Sequence, residues 1–469
     1  MYPNPFDISC DVLIGTSCAL GHRLEDRAPV RNAQNADIVR YVQESSTVRL
    51  RDHSQRNLFC VAPIDVLVTE DNGQVQFHLI ELNGTGIGGL TNISADAVGA
   101  TLEGLLEMAE QLEEPNPLVL VASSGMESEQ LPRLNKTIYE KILYVEAMHR
   151  GFSKRGQAAV ANTVVQLREA PWEIATGKPT IVLGYMKQFL RWLKLHDDGR
   201  LTLFNRQVDA VVNDRFCLNV LHEFPTVDLK RLRTMNRCFV AGADKAVFYE
   251  LLNDYLRRNP TPISRPVQYT LAHTREELVA KVMQMVRDGQ KVVIKPQGTG
   301  LGHGIEFFLS SRESDEQITA RIDGSLQLTE RYYGLHGGAL PYTVSEFFDT
   351  KTIKREGHPL NGHKFELRMV VYRCGDELRA FPSIVKIASE IYNPLQPSYL
   401  SLINNITASA VAKQSAGVDY MLPLSHSQTL ELLGLSLEDV AALAGLCTGV
   451  VRFILDQTQD APQRLGLPT

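Results

Sequence analysis

A stretch of alternating glycines between two apolar segments is the feature that most constrains what this chain can fold into. Residues 291–308 begin with Lys-Val-Val-Ile-Lys-Pro-Gln, carry glycine at every second position from 298 to 304, and end in Ile-Glu-Phe-Phe. The apolar and β-branched residues on both sides predict the two strands of a hairpin. Glycine allows positive φ and lets backbone N–H groups approach an anion closely. We therefore predict a loop that covers a phosphate group, with Lys295 on the first strand pointing at the ligand.

Two other phosphate-binding loops are excluded by the spacing of these glycines. No Gly-Lys-Ser/Thr follows them, as a Walker loop would require, and position 303 is His where a dinucleotide fingerprint needs its third glycine. The segment also runs on into a predicted strand rather than a helix. Taken alone, the glycines fit a mobile hairpin with a surface lysine equally well. The interpretation therefore depends on residues elsewhere in the chain.

Composition limits the class of protein and of partner. The chain has 469 residues, enough for two to four domains, and 44% hydrophobic with 22% charged residues is typical of a globular protein. A net charge of −6 provides no basic surface for nucleic acid or an anionic membrane. The seven cysteines are widely spaced without a C-x-x-C pair, and no signal-like start or membrane-spanning run is visible. We expect a cytoplasmic protein with a small-molecule partner.

Residues 58–83 predict a second hairpin that carries acidic residues. A two-residue turn at 72–73 would place Asp65 and Glu81 on opposite faces. A three-residue loop would place both on the same face as Asn83, and this is the loop that we expect. Such an oxygen-rich cluster suits Mg²⁺ held together with substrate phosphates. The alternative is a solvated polar face, although Glu81 and Asn83 lead directly into a further glycine-rich loop.

The remaining elements predict an α/β fold. Strands and helices alternate between 114 and 215, which is typical of a small doubly wound module. Asp244-Lys245 begins a predicted helix, with the acidic residue at its N-terminus in keeping with the helix dipole. The stretch 326–348 predicts two strands, of which the second ends in Glu346-Phe-Phe. An amphipathic helix is predicted for 436–457.

One predicted strand carries three charged residues on a single face. The segment 362–373 alternates polar and apolar residues, so that Lys364, Glu366 and Arg368 point to the same side. Such a face usually contacts water. In a cleft, the same residues would contact phosphate and metal.

Together these segments resemble the ATP-grasp fold. Four of its motifs occur in the family's order, namely Asp244-Lys245, Val293-Ile-Lys295-Pro with its glycine-rich loop, Glu346-Phe-Phe, and Glu366-Leu-Arg368. The family's last motif, an Asp followed on the next strand by Glu-x-Asn, is absent near the C-terminus and occurs near the N-terminus as Asp65 and Glu81-Leu-Asn83. This order resembles the circular permutation of eukaryotic-type glutathione synthetase.

The resemblance implies a domain organisation and a set of roles. The implied segments are 1–113 and 346–469 for the C-terminal ATP-grasp subdomain, 114–240 for an inserted doubly wound substrate domain, and 241–345 for the N-terminal subdomain with the lid loop. The implied ATP contacts are Lys245, Lys295, Gln297, Gly298, Thr299, Gly300, Gly302, Glu346, Phe347, Phe348 and Lys364. The implied Mg²⁺ ligands are Asp65, Glu81 and Asn83. The implied catalytic residues are Arg368, Lys295 and Glu366, with Arg368 stabilising the transferred phosphoryl group.

One departure from the family concerns the metal. Glutathione synthetases of this type place a metal-binding Glu directly after Lys-Pro-Gln-Arg, where this chain has Gly298 and Thr299. Either Glu366 or Asp65 must then supply the missing carboxylate.

The function implied by the resemblance is an ATP-dependent carboxylate–amine ligase that uses ATP and Mg²⁺. Such an enzyme joins a small-molecule carboxylate and an amine, here an amino acid or small peptide, through an acyl phosphate. One alternative is an ATP-grasp small-molecule kinase, for which a single co-substrate suffices. The other is a non-catalytic nucleotide-binding module, which would not need two acidic residues beside a triphosphate. A homodimer is the default assembly.

Overall fold

The computed structural model describes residues 36–84, 87, 95–123, 132–163, 177–297, 302–310, 313–333, 340–404 and 420–467. The strands are β1 Val48–Arg49, β2 Val61–Asp71, β3 Gln74–Leu82, β4 Leu118–Ser123, β5 Val160–Thr163, β6 Thr180–Tyr185, β7 Leu193–Leu195, β8 Leu201–Leu203, β9 Arg206–Gln207, β10 Ala210–Val212, β11 Arg233–Thr234, β12 Tyr269–Ala272, β13 Val292–Pro296, β14 Glu306–Phe308, β15 Tyr342–Glu346, β16 His363–Cys374, β17 Glu377–Ile391 and β18 Met421–Pro423.

The α-helices are α1 Ala36–Ser45, α2 Ala95–Glu110, α3 Pro132–Lys154, α4 Met186–Trp192, α5 Asp214–Glu223, α6 Phe239–Ala243, α7 Lys245–Arg258, α8 Arg275–Arg287, α9 Asp315–Tyr333, α10 Tyr399–Leu402, α11 Ser427–Leu433 and α12 Leu437–Asp460. Short 3₁₀ helices occur at His53–Leu58 and Pro462–Leu465. Within the described ranges, no helix combines the length and the apolar character that a membrane span requires.

The largest sheet joins strands from the two ends of the chain. Its order is β1-β17-β16-β2-β3, with β18 added beside β17, and all of its pairings are antiparallel. The early strand β2 pairs with the late strand β16, so that Asp65 lies opposite Arg368. Helix α12 packs on β16, β17 and α1. The N-terminal hairpin and β1 therefore complete a sheet whose other three strands, β16, β17 and β18, follow residue 362. Circular permutation of a known fold stays a prediction.

The turn of this hairpin differs from the three-residue loop that the sequence suggested. Asp71 pairs directly with Gln74, so only Asn72 and Gly73 lie between the strands. Their φ values of 50° and 80° are those of a two-residue type I′ turn. That prediction was wrong. The acidic residues still share a face because a β-bulge at Ile80 shifts the register between the pairs Val66–Leu79 and Asp65–Glu81.

A second sheet is wholly parallel, with the order β11-β10-β4-β6-β5. Helices α3 and α4 pack on β4 and β6, and α5 packs on β10, as the predicted alternation of strands and helices requires. From β4 the chain proceeds to β5 and β6 on one side and then to β10 and β11 on the other. The strand order therefore reverses next to β4, and crevices at such switch points commonly bind ligands. The role of residues 114–240 as an inserted domain stays a prediction.

The third sheet, β12-β15-β13-β14, contains the predicted glycine-loop hairpin. Strands β13 and β14 pair antiparallel from Val292–Phe308 to Ile294–Glu306. Gly298, Thr299 and Gly300 of the connecting loop lie outside the described residues. The sheet and helices α8 and α9 share a core separate from that of the rest of the chain.

The prediction of two strands in 326–348 was wrong in its first half, where the structure has the end of α9. The reason is a helical repeat of small and apolar residues that begins further upstream. Ile318, Ile322, Ser325 and Thr329 are all buried, at the spacing of a single helix face. The second predicted strand is present as β15 and ends at Glu346.

We predict that the end of the glycine-rich loop tolerates no side chain at Gly304. This residue has a φ of +72°, and a Cβ there would lie 2.2 Å from Thr329 Oγ1 and 3.0 Å from Pro296 Cγ. Gly357 is a matched control, since its φ is +76° and a Cβ there would meet nothing within 4 Å. Gly357→Ala should cost about 1 to 2 kcal/mol from φ alone, and Gly304→Ala about 1 to 3 kcal/mol more. Denaturant unfolding measures both, and equal losses would contradict the packing of Thr329 on Gly304.

Candidate functional site

Charged side chains of four strands meet on one face of the largest sheet. Cross-strand pairing places Asp65 opposite both Arg368 and Glu81, and Glu366 opposite Lys386. Residues directly opposite each other share a face of the sheet. The register therefore brings together two predicted metal ligands, Asp65 and Glu81, and two predicted catalytic residues, Arg368 and Glu366. Lys386 is an addition that sequence reasoning did not select, although a lone lysine in the apolar run of β17 was a usable signal.

Asp65 is the centre of this cluster. Arg368 donates two hydrogen bonds to it, from Nε to Oδ1 and from Nη2 to Oδ2, both of 2.7 Å. Lys386 Nζ lies 2.9 Å from Oδ2, and Asn83 Nδ2 donates to the same oxygen at 2.8 Å. Burial would raise the pKa of Asp65, but Arg368 and Lys386 outweigh burial and hold this pKa below its ordinary value. Asp65 thus orients Arg368 and Asn83, and its role as a direct metal ligand stays a prediction.

Glu366 lies beside Lys386 in a close ion pair. The carboxylate is buried, and burial raises its pKa, with the neighbouring Lys386 acting in the opposite sense and Asp65 adding to the increase. Lys386 therefore bridges Glu366 and Asp65.

Glu81 and Asn83 present oxygens beside this buried cluster. Glu81 is the more exposed acid, with 27% of its side chain accessible, and its Oε1 lies 3.3 Å from Lys245 Nζ. Because the amide nitrogen of Asn83 donates to Asp65, its amide oxygen points away from that carboxylate. Among the described residues, no group of three or more His, Cys, Asp or Glu side chains is arranged to hold a metal alone. One carboxylate and one amide oxygen fit Mg²⁺ that is bound jointly with substrate phosphates.

The two predicted phosphate-binding lysines both lie near the N-terminus of α7. Lys245 is the first residue of α7, which Asp244 caps by accepting from the backbone N–H of residue 246. Gln297, at the end of β13, donates to the same Asp244 side chain. Lys295 is only 8% exposed and donates to Tyr249 Oη of α7 at 2.8 Å. Within the described part of the chain, no carboxylate lies at ion-pair distance from Lys295, so this buried ammonium is suited to an anionic ligand.

The predicted adenine-binding residues lie at the end of β15 and directly after it. Glu346 accepts two hydrogen bonds from Arg265, of 2.8 and 2.6 Å, and one from the backbone N–H of Gln268. The Phe347 backbone N–H donates to the Lys291 carbonyl oxygen at 2.9 Å. The Phe348 ring stacks on the imidazole of His78, with the ring centres 3.8 Å apart. These contacts fix the segment that connects the third sheet with the largest sheet.

Lys364 and Gly302 border the same region. Lys364 Nζ lies 2.9 Å from Asp349 Oδ1 and 3.9 Å from the centre of the Tyr392 ring, and burial lowers its pKa. The Gly302 carbonyl oxygen, at the end of the predicted lid, accepts from Tyr399 Oη at 2.8 Å. Residues 392–399, which follow β17, therefore contact the lid from the side of the largest sheet.

A polar cluster lies at the carboxyl edge of the parallel sheet, and sequence reasoning selected neither Asp214 nor Asn236 of it. Asp214 follows β10, and its Oδ2 accepts from Asn236 at 2.8 Å. A Cβ on Gly84, next to the predicted metal ligand Asn83, would lie only 2.1 Å from this oxygen. Asp214 Oδ1 and Ser123 Oγ are buried and have no hydrogen-bond partner among the residues that the structure describes. The usable signal was an Asn-Asp pair directly after a short apolar strand, since ligands commonly bind at the carboxyl ends of parallel strands.

The backbone of Ile87 connects helix α3 with the charged sheet face. Its N–H donates to Glu140 Oε1 of α3 at 2.8 Å, and its carbonyl oxygen accepts from Arg368 Nη1 at 3.0 Å. Glu140 also accepts from Tyr144 Oη at 3.1 Å. The described residue of the second glycine-rich loop is thus held from two sides.

Comparisons with known proteins place the chain near several solved structures. A proposed gamma-glutamylcysteine synthetase from Methylobacillus flagellatus aligns at 10% identity with a TM-score of 0.45, over 97% of this chain and 98% of that one. A glutathione synthetase-like effector from Globodera pallida aligns at 12% identity with a TM-score of 0.36, over 82% of this chain and 86% of that one. D-alanyl-alanine synthetase A from Vibrio cholerae aligns at 12% identity with a TM-score of 0.35, over 72% of this chain and 82% of that one. Neither a protein-family profile nor a curated protein sequence matches.

These TM-scores are too low to carry an argument about activity. The structure itself has a mixed α/β architecture, with parallel and antiparallel sheets in the described residues. The function is therefore argued from the site.

We predict that Asp214 makes the stability of the protein depend on pH. Burial raises the pKa of Asp214 from 3.8 to about 8, so the folded protein retains a proton that the unfolded chain has already released above about pH 4. The free energy of unfolding should therefore fall by about 1.4 kcal/mol for each pH unit between pH 5 and 7 because of this group, and less steeply near pH 8. Asp214→Asn, which mimics the protonated form, should remove that part of the slope. Urea unfolding from pH 5 to 8 measures it, and parallel pH profiles for the two proteins would contradict the assignment.

Proposed function

We propose that this protein is an ATP-dependent carboxylate–amine ligase with a circularly permuted ATP-grasp fold, which forms an amide bond through an acyl phosphate. The observation that carries the proposal is the 3.3 Å contact between Lys245 Nζ and Glu81 Oε1. It joins the helix that borders Lys295 and the glycine-rich loop to the acidic hairpin from the start of the chain. The proposed phosphate-binding residues and the proposed metal ligands are thereby neighbours, and the nucleotide would lie in a cleft between them.

ATP is assigned to this cleft by the charges that border it. The buried ammonium groups of Lys245 and Lys295 would contact the phosphates, and the backbone of 298–302 would cover them. The segment from Glu346 to Phe348 would hold adenine beside Lys364. A buried lysine without a described carboxylate partner supports the assignment, because a buried cation is stabilised by an anionic ligand.

Mg²⁺ is assigned to Glu81 and Asn83, with Asp65 orienting Asn83. The ion, when bound, neutralises charge on the phosphates of the nucleotide. The supporting observation is the donor set itself, which consists of one carboxylate oxygen and one amide oxygen beside a cationic cleft.

The residues of this chain suit phosphoryl transfer to a carboxylate. An oxygen of the substrate carboxylate attacks the γ-phosphorus and the bond to ADP breaks, which gives an acyl phosphate. An amine nitrogen then attacks the acyl carbon, phosphate leaves, and the nitrogen releases its proton. Arg368 and Lys295 would stabilise negative charge on the transferred group, because positioned cations in a site that excludes water act on the transition state. No covalent intermediate on the protein is needed.

The acceptor side of the cleft is assigned to the carboxyl edge of the parallel sheet. Asp214 and Ser123 have buried polar atoms there that no described residue satisfies, and Gly84 connects that edge with Asn83. Polar atoms of this kind are commonly satisfied by a ligand or by water. An amino acid or a small peptide has the ammonium and carboxylate groups that would satisfy them.

The direct test is a screen for ADP release with paired acids and amines, combined with mass analysis of the products. A ligase releases ADP and phosphate only when both partners are present, and the product mass equals that of acid plus amine minus water. ADP formation with a single co-substrate and a phosphorylated product would instead identify a kinase. Nucleotide binding without turnover of any pair would leave only a binding module.

We predict that Lys295→Met weakens ATP binding. The substitution keeps the length of the side chain and removes a charged hydrogen-bond donor, and such bonds contribute about 1.5 to 3 kcal/mol. The Kd for ATP should therefore rise by about 10- to 100-fold. Lys281→Met is the control, because Lys281 lies on α8 and pairs with Glu277. Titration calorimetry measures both variants, and an unchanged Kd for Lys295→Met would remove the lysine from the nucleotide site.

We predict that Glu81→Gln nearly abolishes turnover while the fold is retained. Loss of partners outside the first coordination sphere typically costs about 10- to 100-fold in metal affinity or activity, and loss of a ligand should cost at least about 100-fold. Glu70→Gln on the same hairpin is the control, since Glu70 pairs with the distant Lys351 at 2.8 Å. ADP release and circular dichroism are measured together. Full activity of folded Glu81→Gln would exclude Glu81 as a metal ligand.

A further inference from the structure

Lys386 lies between two carboxylates on the charged face of the largest sheet. Its ammonium is 2.9 Å from Asp65 Oδ2 and forms a closer ion pair with Glu366 Oε1. The side chain is only 4% exposed, and the two carboxylates are similarly buried. Glu366 and Lys386 are direct cross-strand neighbours, so the backbone of β16 and β17 fixes this contact.

Electrostatics favours a cation at this position. Asp65 and Glu366 project from adjacent strands to the same face. The guanidinium of Arg368 already donates hydrogen bonds to both carboxylate oxygens of Asp65. Without another cation, the second carboxylate would remain buried and uncompensated, which is strongly destabilising. Either a bound metal ion or a cationic side chain meets this requirement, and in this chain the backbone itself supplies Lys386.

The position of Lys386 bears on the carboxylate that the sequence lacks. Gly298 and Thr299 stand where a second metal-binding acid was expected, and the two substitutes considered were Glu366 and Asp65. Both substitutes contact the same ammonium. Neither is therefore available to a second divalent cation unless Lys386 leaves.

We propose that Lys386 takes the place of a divalent cation, so that this protein binds a single divalent ion with its nucleotide, at Glu81 and Asn83. An ammonium suits this role, because it is a compact point charge with three donors that can be shared between two carboxylates. The inference rests on the proposed function, since it assumes a nucleotide in the cleft beside this cluster.

The test counts Mn²⁺ ions by electron paramagnetic resonance and titration calorimetry in the presence of the non-hydrolysable analogue AMP-PNP. The wild-type chain should bind one Mn²⁺. Lys386→Met, which keeps the length of the side chain but not its charge, should bind two, because Glu366 loses its cationic partner and Asp65 Oδ2 loses one of its two cations. The double variant Lys386→Met, Glu366→Gln should bind one again. The matched control Lys351→Met, which removes the lysine paired with Glu70 outside this cluster, should bind one.

Two Mn²⁺ ions on the wild-type chain, or a single ion on folded Lys386→Met, would overturn the inference. If Lys386→Met does not fold, the wild-type count decides alone. Failure of the proposed function has a different signature, namely no binding of AMP-PNP to the wild-type chain in the same calorimeter. Tight AMP-PNP binding together with two Mn²⁺ ions would leave the nucleotide site intact and remove only the role of Lys386.

Discussion

The paired hydrogen bonds between Asp65 and Arg368 are the interaction on which the candidate site depends. They join a strand from the start of the chain to one that follows about three hundred residues later, within a single sheet. Both side chains are buried, so loss of either partner would leave an uncompensated charge, at a typical cost of about 3 to 5 kcal/mol. The pair helps to fix the register between β2 and β16, which hydrophobic packing alone would specify less strictly. A slip of one residue would turn Asp65 to the opposite face.

Hydrogen bonds to backbone atoms connect this pair with the elements of the parallel sheet. Arg368 also donates to the carbonyl oxygen of Ile87, whose N–H is held by Glu140 on α3. One peptide segment is thereby fixed between the largest sheet and a helix that packs on the parallel sheet. Asn236 extends the connection, because it donates to both Asp214 and the carbonyl oxygen of Val61 at the start of β2. The charged face and the proposed acceptor edge are therefore positioned relative to each other by hydrogen bonds as well as by packing.

Local pattern predicted the elements of this site better than its connections. The hairpin around Lys295, the helix that begins at Lys245 and the shared face of Lys364, Glu366 and Arg368 all follow from periodicity and glycine content. The face shared by Asp65 and Glu81 was also predicted, but for the wrong reason, because a bulge at Ile80 compensates for a two-residue turn. Sequence spacing does not reveal a bulge of this kind. Lys386 and Asp214 were not selected, since each acquires its partners only when distant strands pair.

The ion pairs of the charged face differ in how easily a ligand can replace one of their members. Asp65 and Arg368 have side-chain exposures of only 5% and 8%, and a ligand that separated them would bury two unpaired charges. Glu81, with 27% of its side chain exposed, is paired with Lys245 at the longer distance of 3.3 Å. Under the proposed function, a metal–nucleotide complex gives both members of this second pair a better partner, because the phosphates attract Lys245 and the metal attracts Glu81. The face can therefore admit the ligand by exchanging its weakest contact while the buried pair keeps the sheet in register.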